Sequence, residues 1–337
     1  MLNSNQMHPA GEPKISRDFP QLNHSRIIRP DLTDTHKHKP CQPLLADQFW
    51  CFSQSKVASE QPNAKLQRKE PIAMSRLGTI TYNIAKDWDL DRILKSLEKL
   101  GYEGVELRTS HAHKVEVNLN KAEREAVRKR FEDSPVEIAG LGSAFEYQSD
   151  DPSVVKKNIE GTKEYVRLAH DIGAPGVKVR PNGIPKGPGL IVEKTLEQIG
   201  KALHQVGEDA ENFGVEIRLE VHGAVTAELP NIAKIIRYAD HPNVYVCWNS
   251  NPTDLQPDGT IQRNFALVAN KIREVHLHDL TDEKYPWREL FRLLKAIKYN
   301  GFTLAEIPES PDPERVLTYF KALWQAYQPF SSTTPKP

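Results

Sequence analysis

Cysteine is scarce in this chain, and the three present lie far apart. Cys41, Cys51 and Cys247 show no CxxC spacing, so neither a disulfide framework nor a cysteine zinc site is expected. An excess of one charge is also missing, because 45 basic side chains face 45 acidic ones. A balanced chain exerts no long-range pull on nucleic acid or an anionic membrane, which leaves a small molecule as the expected partner. No run approaches the roughly 18 consecutive apolar residues of a membrane-spanning helix. Met1–Arg17 has no apolar core and no twin arginine ahead of one, so no export signal is read there. The expectation is a soluble, cytoplasmic protein, with self-association left open. No GxGxxG or Walker loop follows any β-rich run, which removes the commonest reason to expect an open nucleotide-binding sheet.

Apolar residues make up only 38% of the chain, and the dilution is concentrated at the start. Residues 1–73 hold eight prolines, one glycine and many Asn, Gln and Ser, with no sustained period of 2 or 3.6. This predicts a disordered extension. Met74 opens the patterned part, and residues 74–330 have the usual length of one (β/α)8 barrel, about 250 residues.

Eight β-rich runs alternate with helical patterns from there on: Gly78–Asn83, Gly104–Arg108, Val136–Gly142, Gly176–Arg180, Val215–Val221, Val244–Trp248, Glu274–Leu277 and Phe302–Glu306. Helix ends are readable between them. Leu90, Ile93, Leu94, Leu97 and Leu100 form a stripe that stops at Gly101. Asp151-Pro152 opens a helix running to Gly173, and Pro313 opens the last one. A further stripe, Leu196 to Phe213, ends at Gly214. Eight strands with no tight hairpin between them predict a closed parallel barrel.

Strand parity separates the two faces. In the fifth run Val215, Ile217, Leu219 and Val221 share one side, leaving Glu216, Arg218, Glu220 and His222 on the other. The same alternation sets Lys178 and Arg180, Glu274, His276 and His278, and Glu106 and Arg108 towards the barrel axis. A barrel strand has no solvated face, and buried charges are costly unless paired or bound to metal. So polar an interior therefore marks a site, the competing reading being glutamates bridged by basic residues for structure alone.

The last four strand ends carry ligand-type residues: Glu220 and His222 in LEVHG, Asn249 in CWNSN, His276 and His278 in VHLHD, and Glu306 in AEIPES. Two carboxylates, an amide oxygen and an imidazole suit one divalent ion, Mn2+ first, with Mg2+, Co2+ or Zn2+ as alternatives. Active sites of this fold sit at that face. Arg108, His113, Glu146, Arg180, His222 and His278 are the candidate substrate-binding residues, with His111 beside His113 in the same loop. Trp248 and Trp287 are expected to pack, and Cys247 to fill interior space.

From about Leu77 to Tyr327 the chain resembles the sugar phosphate isomerase/epimerase family, the xylose isomerase-like TIM barrels. The resemblance rests on GYEGVELR after the first helix, on LEVHG, and on the order of Glu220, Asn249, His276 and Glu306 at the ends of strands five to eight. It implies that these four residues hold a divalent metal and that Glu220 and Glu306 act as acid and base. The chain departs from the pattern where an aspartate becomes Asn249 and the HxKD lysine becomes His278. Pro252 stands where epimerases of the family often have a histidine. Asp254 could replace the missing aspartate only by a fold-back of its loop.

The implied activity is isomerisation or epimerisation of a sugar or sugar phosphate through a cis-enediolate. The same constellation would serve a dehydratase or lyase on an oxidised sugar or inositol derivative. A sugar-binding protein without chemistry is the third reading, because Asn249 removes one negative charge. A DNA-repair nuclease on the same barrel would need more ligands and a basic groove.

Overall fold

The computed structural model describes residues 75–184 and 191–329; the extension expected over residues 1–73 lies outside them. Eight strands, all parallel to their neighbours, close in sequence order into a barrel. They are β1 (Arg76–Ile80), β2 (Gly104–Arg108), β3 (Glu137–Glu146), β4 (Gly176–Arg180), β5 (Glu216–Glu220), β6 (Val244–Trp248), β7 (Ile272–Leu277) and β8 (Phe302–Ala305). The helices between and after them are α1 (Leu90–Leu100), α2 (Lys121–Glu132), α3 (Pro152–Ile172), α4 (Val192–Glu211), α5 (Leu229–Ala239), α6 (Gln262–Ala266), α7 (Trp287–Ala296) and α8 (Pro313–Tyr327). The expected (β/α)8 architecture is therefore present.

Local chemistry sets the helix ends. The Asp89 carboxylate accepts from the Arg92 N–H at 2.8 Å, and Gly101 closes α1 at φ 67°, where a side chain would be strained. Asp151 caps α3 with Pro152 as its first residue, and Gly173 ends it at φ 81°. α2 starts from a reciprocal capping box between Asn120 and Glu123. β1 differs from expectation: it begins at Arg76 and stops at Ile80. Beyond it the Thr81 N–H still donates to the Glu106 carbonyl at 3.0 Å while its hydroxyl accepts the Arg108 N–H, and the chain then turns towards α1.

The apolar strand faces meet the helices. Val177, Val179, Ile217, Leu219, Val275 and Leu277 are fully buried in that layer, each contributing about 1.5–3 kcal/mol of transfer free energy. Inside the barrel, a small apolar patch of Ile80, Ala139 and Leu304 coexists with charged residues. β3 makes room for them with glycine. A Cβ on Gly140 would come within 3.2 Å of Arg218 and Glu274, and one on Gly142 would collide with the Glu106 carboxylate. Among the described residues no helix is long and apolar enough to cross a membrane.

Candidate metal and active site

The charged side chains inside the barrel form two tiers. In the deeper tier Arg218, from the middle of β5, donates to Glu216 at 2.9 Å and to Glu274 at 3.1 Å, and to the Ala139 carbonyl at 2.8 Å. These partners all come from the protein, and they commit the guanidinium to the barrel floor. The Glu274 carboxyl is pushed up to about 7 by burial, against the pull of Arg218. Cys247, Glu274 and His276 approach one another. Arg218 already engages Glu274, however, and burial pushes the Cys247 thiol up to about 12.

The upper tier gathers Glu106 (β2), Lys178 (β4), Glu220 (β5), His276 (β7) and Glu306, one residue beyond β8. The Lys178 ammonium lies 2.9 Å from Glu220 Oε2 and 3.8 Å from Glu106 Oε1. Burial works against its charge, but Glu220 and Glu106 outweigh burial and raise its pKa above the ordinary range. His276 Nε2 donates to Glu106 Oε2 at 3.0 Å. That bond turns Nδ1 towards Glu306 Oε2 at 3.3 Å and Glu220 Oε1 at 3.5 Å. Burial penalises the charged forms of the two carboxylates, yet Lys178 and His276 hold Glu220 at about 2, and His276 with His278 keep Glu306 well below the carboxylate range. Both are acceptors at neutral pH.

A metal ion is tested against the polar atoms these residues leave unpaired. His276 Nδ1, Glu306 Oε2 and Asn249 Oδ1 are all buried without a hydrogen-bond partner. Donor atoms of Glu220, His276 and Glu306 lie within 4.8 Å of one another. Orphaned buried acceptors are rare unless something absent from the protein chain satisfies them. Two carboxylates, an imidazole nitrogen and an amide oxygen fit a hard or borderline dication. Neighbouring contacts fix the frame: Ser250 Oγ donates to the His276 carbonyl at 2.7 Å, tying the end of β6 to β7.

The other candidates divide. His278 stands over Glu306 at 3.3 Å and is partly exposed. Arg180 and Glu146 face each other across 3.8 Å, each half-buried, with Arg180 Nε and Glu146 Oε2 unpartnered. His222 Nδ1 is also unpartnered, and burial lowers its pKa. These four line the C-terminal mouth, where Arg108 ends β2. His113 is not brought there. Its Nε2 donates to the Arg108 carbonyl at 2.9 Å and its Nδ1 accepts the Val115 N–H at 3.0 Å, so both ring nitrogens serve the loop after β2. His111 bonds Thr81 Oγ1 at 2.7 Å and stacks on Tyr82. Asp254 is buried and accepts from the Asn251 N–H and the Tyr285 hydroxyl, so it does not fold back to replace the aspartate. Trp248 and Trp287 pack as expected, their indole N–H groups held by Tyr285 and the Asp282 carbonyl. Strand parity sets Lys178 and Glu106 inside the barrel but gives neither a place in the site. The signal that could have found them is the side they share with Glu220 and His276.

The family model of the xylose isomerase-like TIM barrel matches residues 94–323. Among solved structures, D-psicose 3-epimerase from Clostridium cellulolyticum H10 is similar at 14% identity, with 75% of this chain and all of that one covered and a TM-score of 0.65. L-ribulose 3-epimerase is similar at 16% identity over 78% of this chain and all of that one, with a TM-score of 0.63. IolI, solved with a bound zinc atom, is similar at 19% identity over 75% of this chain and 97% of that one, with a TM-score of 0.56. No curated protein matches the chain in sequence.

Proposed function

Because the chain belongs to the xylose isomerase-like TIM barrel family, we propose that it is a divalent-metal-dependent isomerase or epimerase of a sugar or sugar phosphate, with Glu220 and Glu306 as its acid and base. The carrying observation is that donor atoms of Glu220, His276 and Glu306 converge, those of His276 and Glu306 buried and unpartnered, with the buried, unpartnered Asn249 Oδ1 at the end of the strand between β5 and β7. Glu220, Asn249, His276 and Glu306 would hold the ion, Mn2+ before Mg2+, Co2+ or Zn2+. When bound, such an ion polarises a carbonyl and the adjacent hydroxyl, making the proton between them easier to remove.

The chain's own residues supply the rest. One of the two glutamates takes the carbon-bound proton and the other returns one. Return to the same carbon inverts it, and return to its neighbour moves the carbonyl. Lys178 helps to keep both carboxylates ionised, so either can begin as base. Arg180 and Glu146 offer a donor and an acceptor across a 3.8 Å gap, a spacing that a sugar hydroxyl can bridge by accepting from one and donating to the other. His222, His278 and Arg108 complete the substrate-facing set. The epimerases of similar fold support a ketose as substrate.

Deuterium exchange tests this reading. The Mn2+-loaded chain is incubated in D2O with D-fructose, D-tagatose, D-psicose and L-ribulose and followed by proton NMR. Deuterium should enter a carbon-bound position beside the carbonyl of at least one sugar, and Glu220→Gln or Glu306→Gln should slow entry by about 10²–10⁴-fold. Binding of a sugar with no exchange would favour a binding protein, and loss of one water from the product would favour a lyase.

A further inference from the structure

Among the charged side chains of the upper tier, Lys178 is not one of the four that would hold the ion, yet it sits against one of them, Glu220. It projects inward from β4, is 4% exposed, and reaches Glu220 Oε2 at 2.9 Å and Glu106 Oε1 at 3.8 Å, side chains that are themselves 3% and 0% exposed. Arg218 does not share this role, being committed to Glu216 and Glu274 in the tier below. The ammonium therefore occupies one of the two oxygens of Glu220, whereas Glu306 Oε2 has no hydrogen-bond partner.

The charge count gives this a purpose. Glu106, Glu220 and Glu306 bring three negative charges to the tier and Lys178 one positive, while Asn249 is neutral where a carboxylate would add a fourth. The remainder is two negative charges, which one dication cancels. In a buried tier such charges interact strongly over short distances. We infer that Lys178 is a positioning residue that sets the strength of metal binding. Its ammonium offsets one of the three carboxylates and holds the charge facing the ion at two negatives. This rests on the donor set proposed above.

The consequence is a charge cycle rather than a simple loss. Mn2+ binding is measured by titration calorimetry on the full chain after chelator treatment, for the parent, Lys178→Met, Glu106→Gln and the double variant. Lys178→Met raises the negative charge and should tighten Mn2+ by at least roughly tenfold, and Glu106→Gln lowers it and should weaken Mn2+ by a similar factor. The double variant restores two negatives and should return within about threefold of the parent. A packing role for Lys178, or a role in holding Glu220 still, moves Lys178→Met the other way. Unchanged or weaker binding in Lys178→Met therefore overturns the inference. Should that variant fail to fold, the double variant decides, since it removes the pair together: affinity near the parent supports the inference, and a fall beyond roughly thirtyfold overturns it. Failure of the donor set itself looks different, as absence of Mn2+ binding in the parent chain.

Discussion

His276 and Glu106 face each other across the barrel axis, Nε2 to Oε2 at 3.0 Å, and both side chains are fully buried. The bond fixes which imidazole nitrogen carries the proton and leaves Nδ1 to face Glu220 and Glu306. Glu106→Leu removes the acceptor as well as the charge, frees the ring to turn, and should lower Mn2+ affinity about tenfold further than Glu106→Gln, which keeps an acceptor. Calorimetric titration reads the change. Affinity equal to that of Glu106→Gln would show that Glu106 does not orient the ring.

Gly142 supplies the space for that carboxylate. A Cβ there would run into Glu106 and approach the Arg108 side chain at 3.1 Å. Gly142→Ala should therefore displace Glu106 and copy part of the Glu106→Leu defect in metal binding, at a stability cost of about 1–3 kcal/mol. Urea unfolding with the same Mn2+ titration checks both parts.

The deeper tier should behave as structure. Arg218 is 5% exposed and bridges Glu216 and Glu274, and Arg218→Met leaves a buried carboxylate unpaired, at a cost of about 3–5 kcal/mol. It touches none of the four donor residues, so the folded fraction should still bind one Mn2+. Stability is read by urea unfolding and metal content on the same sample.

The barrel is legible in the sequence because its strands announce themselves by composition and parity. Val215–Val221 sorts into two faces without further information, and the structure keeps Glu216, Arg218 and Glu220 on the inner one. α1, α3 and α8 are legible from their caps. α2, α5, α6 and α7 escape the sequence reading, although Asn120 and Glu123 spell a capping box. Polarity separates surface from core, but it does not separate one interior tier from the next. Parity sets Glu106, Lys178, Arg218 and Glu274 inside together. That Arg218 and Glu274 close on each other, while Lys178 and Glu106 share partners with Glu220 and His276, follows from the register between strands far apart in sequence. His113 shows the same limit: a loop histidine looks free in sequence, yet backbone groups of its own loop occupy both ring nitrogens.

Asp254 gives the pH prediction. Burial raises its carboxyl to about 7 in the folded chain, above the roughly 3.9 of an unfolded aspartate. A carboxyl raised by folding favours the native state when neutral, so its contribution is full below about pH 4 and is lost as pH rises through 7. Asp254→Asn keeps an acceptor for the Tyr285 hydroxyl and the Asn251 N–H without the charge. Between pH 5 and pH 8 the variant should gain about 3 kcal/mol relative to the parent, read by urea unfolding at both values. A constant difference would place the titration elsewhere.

Glu220, Asn249, His276 and Glu306 are proposed to hold one divalent ion together. Elemental analysis after Mn2+ loading and gel filtration, on the parent and on Glu306→Ala, tests this most directly. The expected result is close to one Mn2+ per parent chain and a sharp fall in the variant. A parent chain without Mn2+, or a variant that retains as much as the parent, would contradict it.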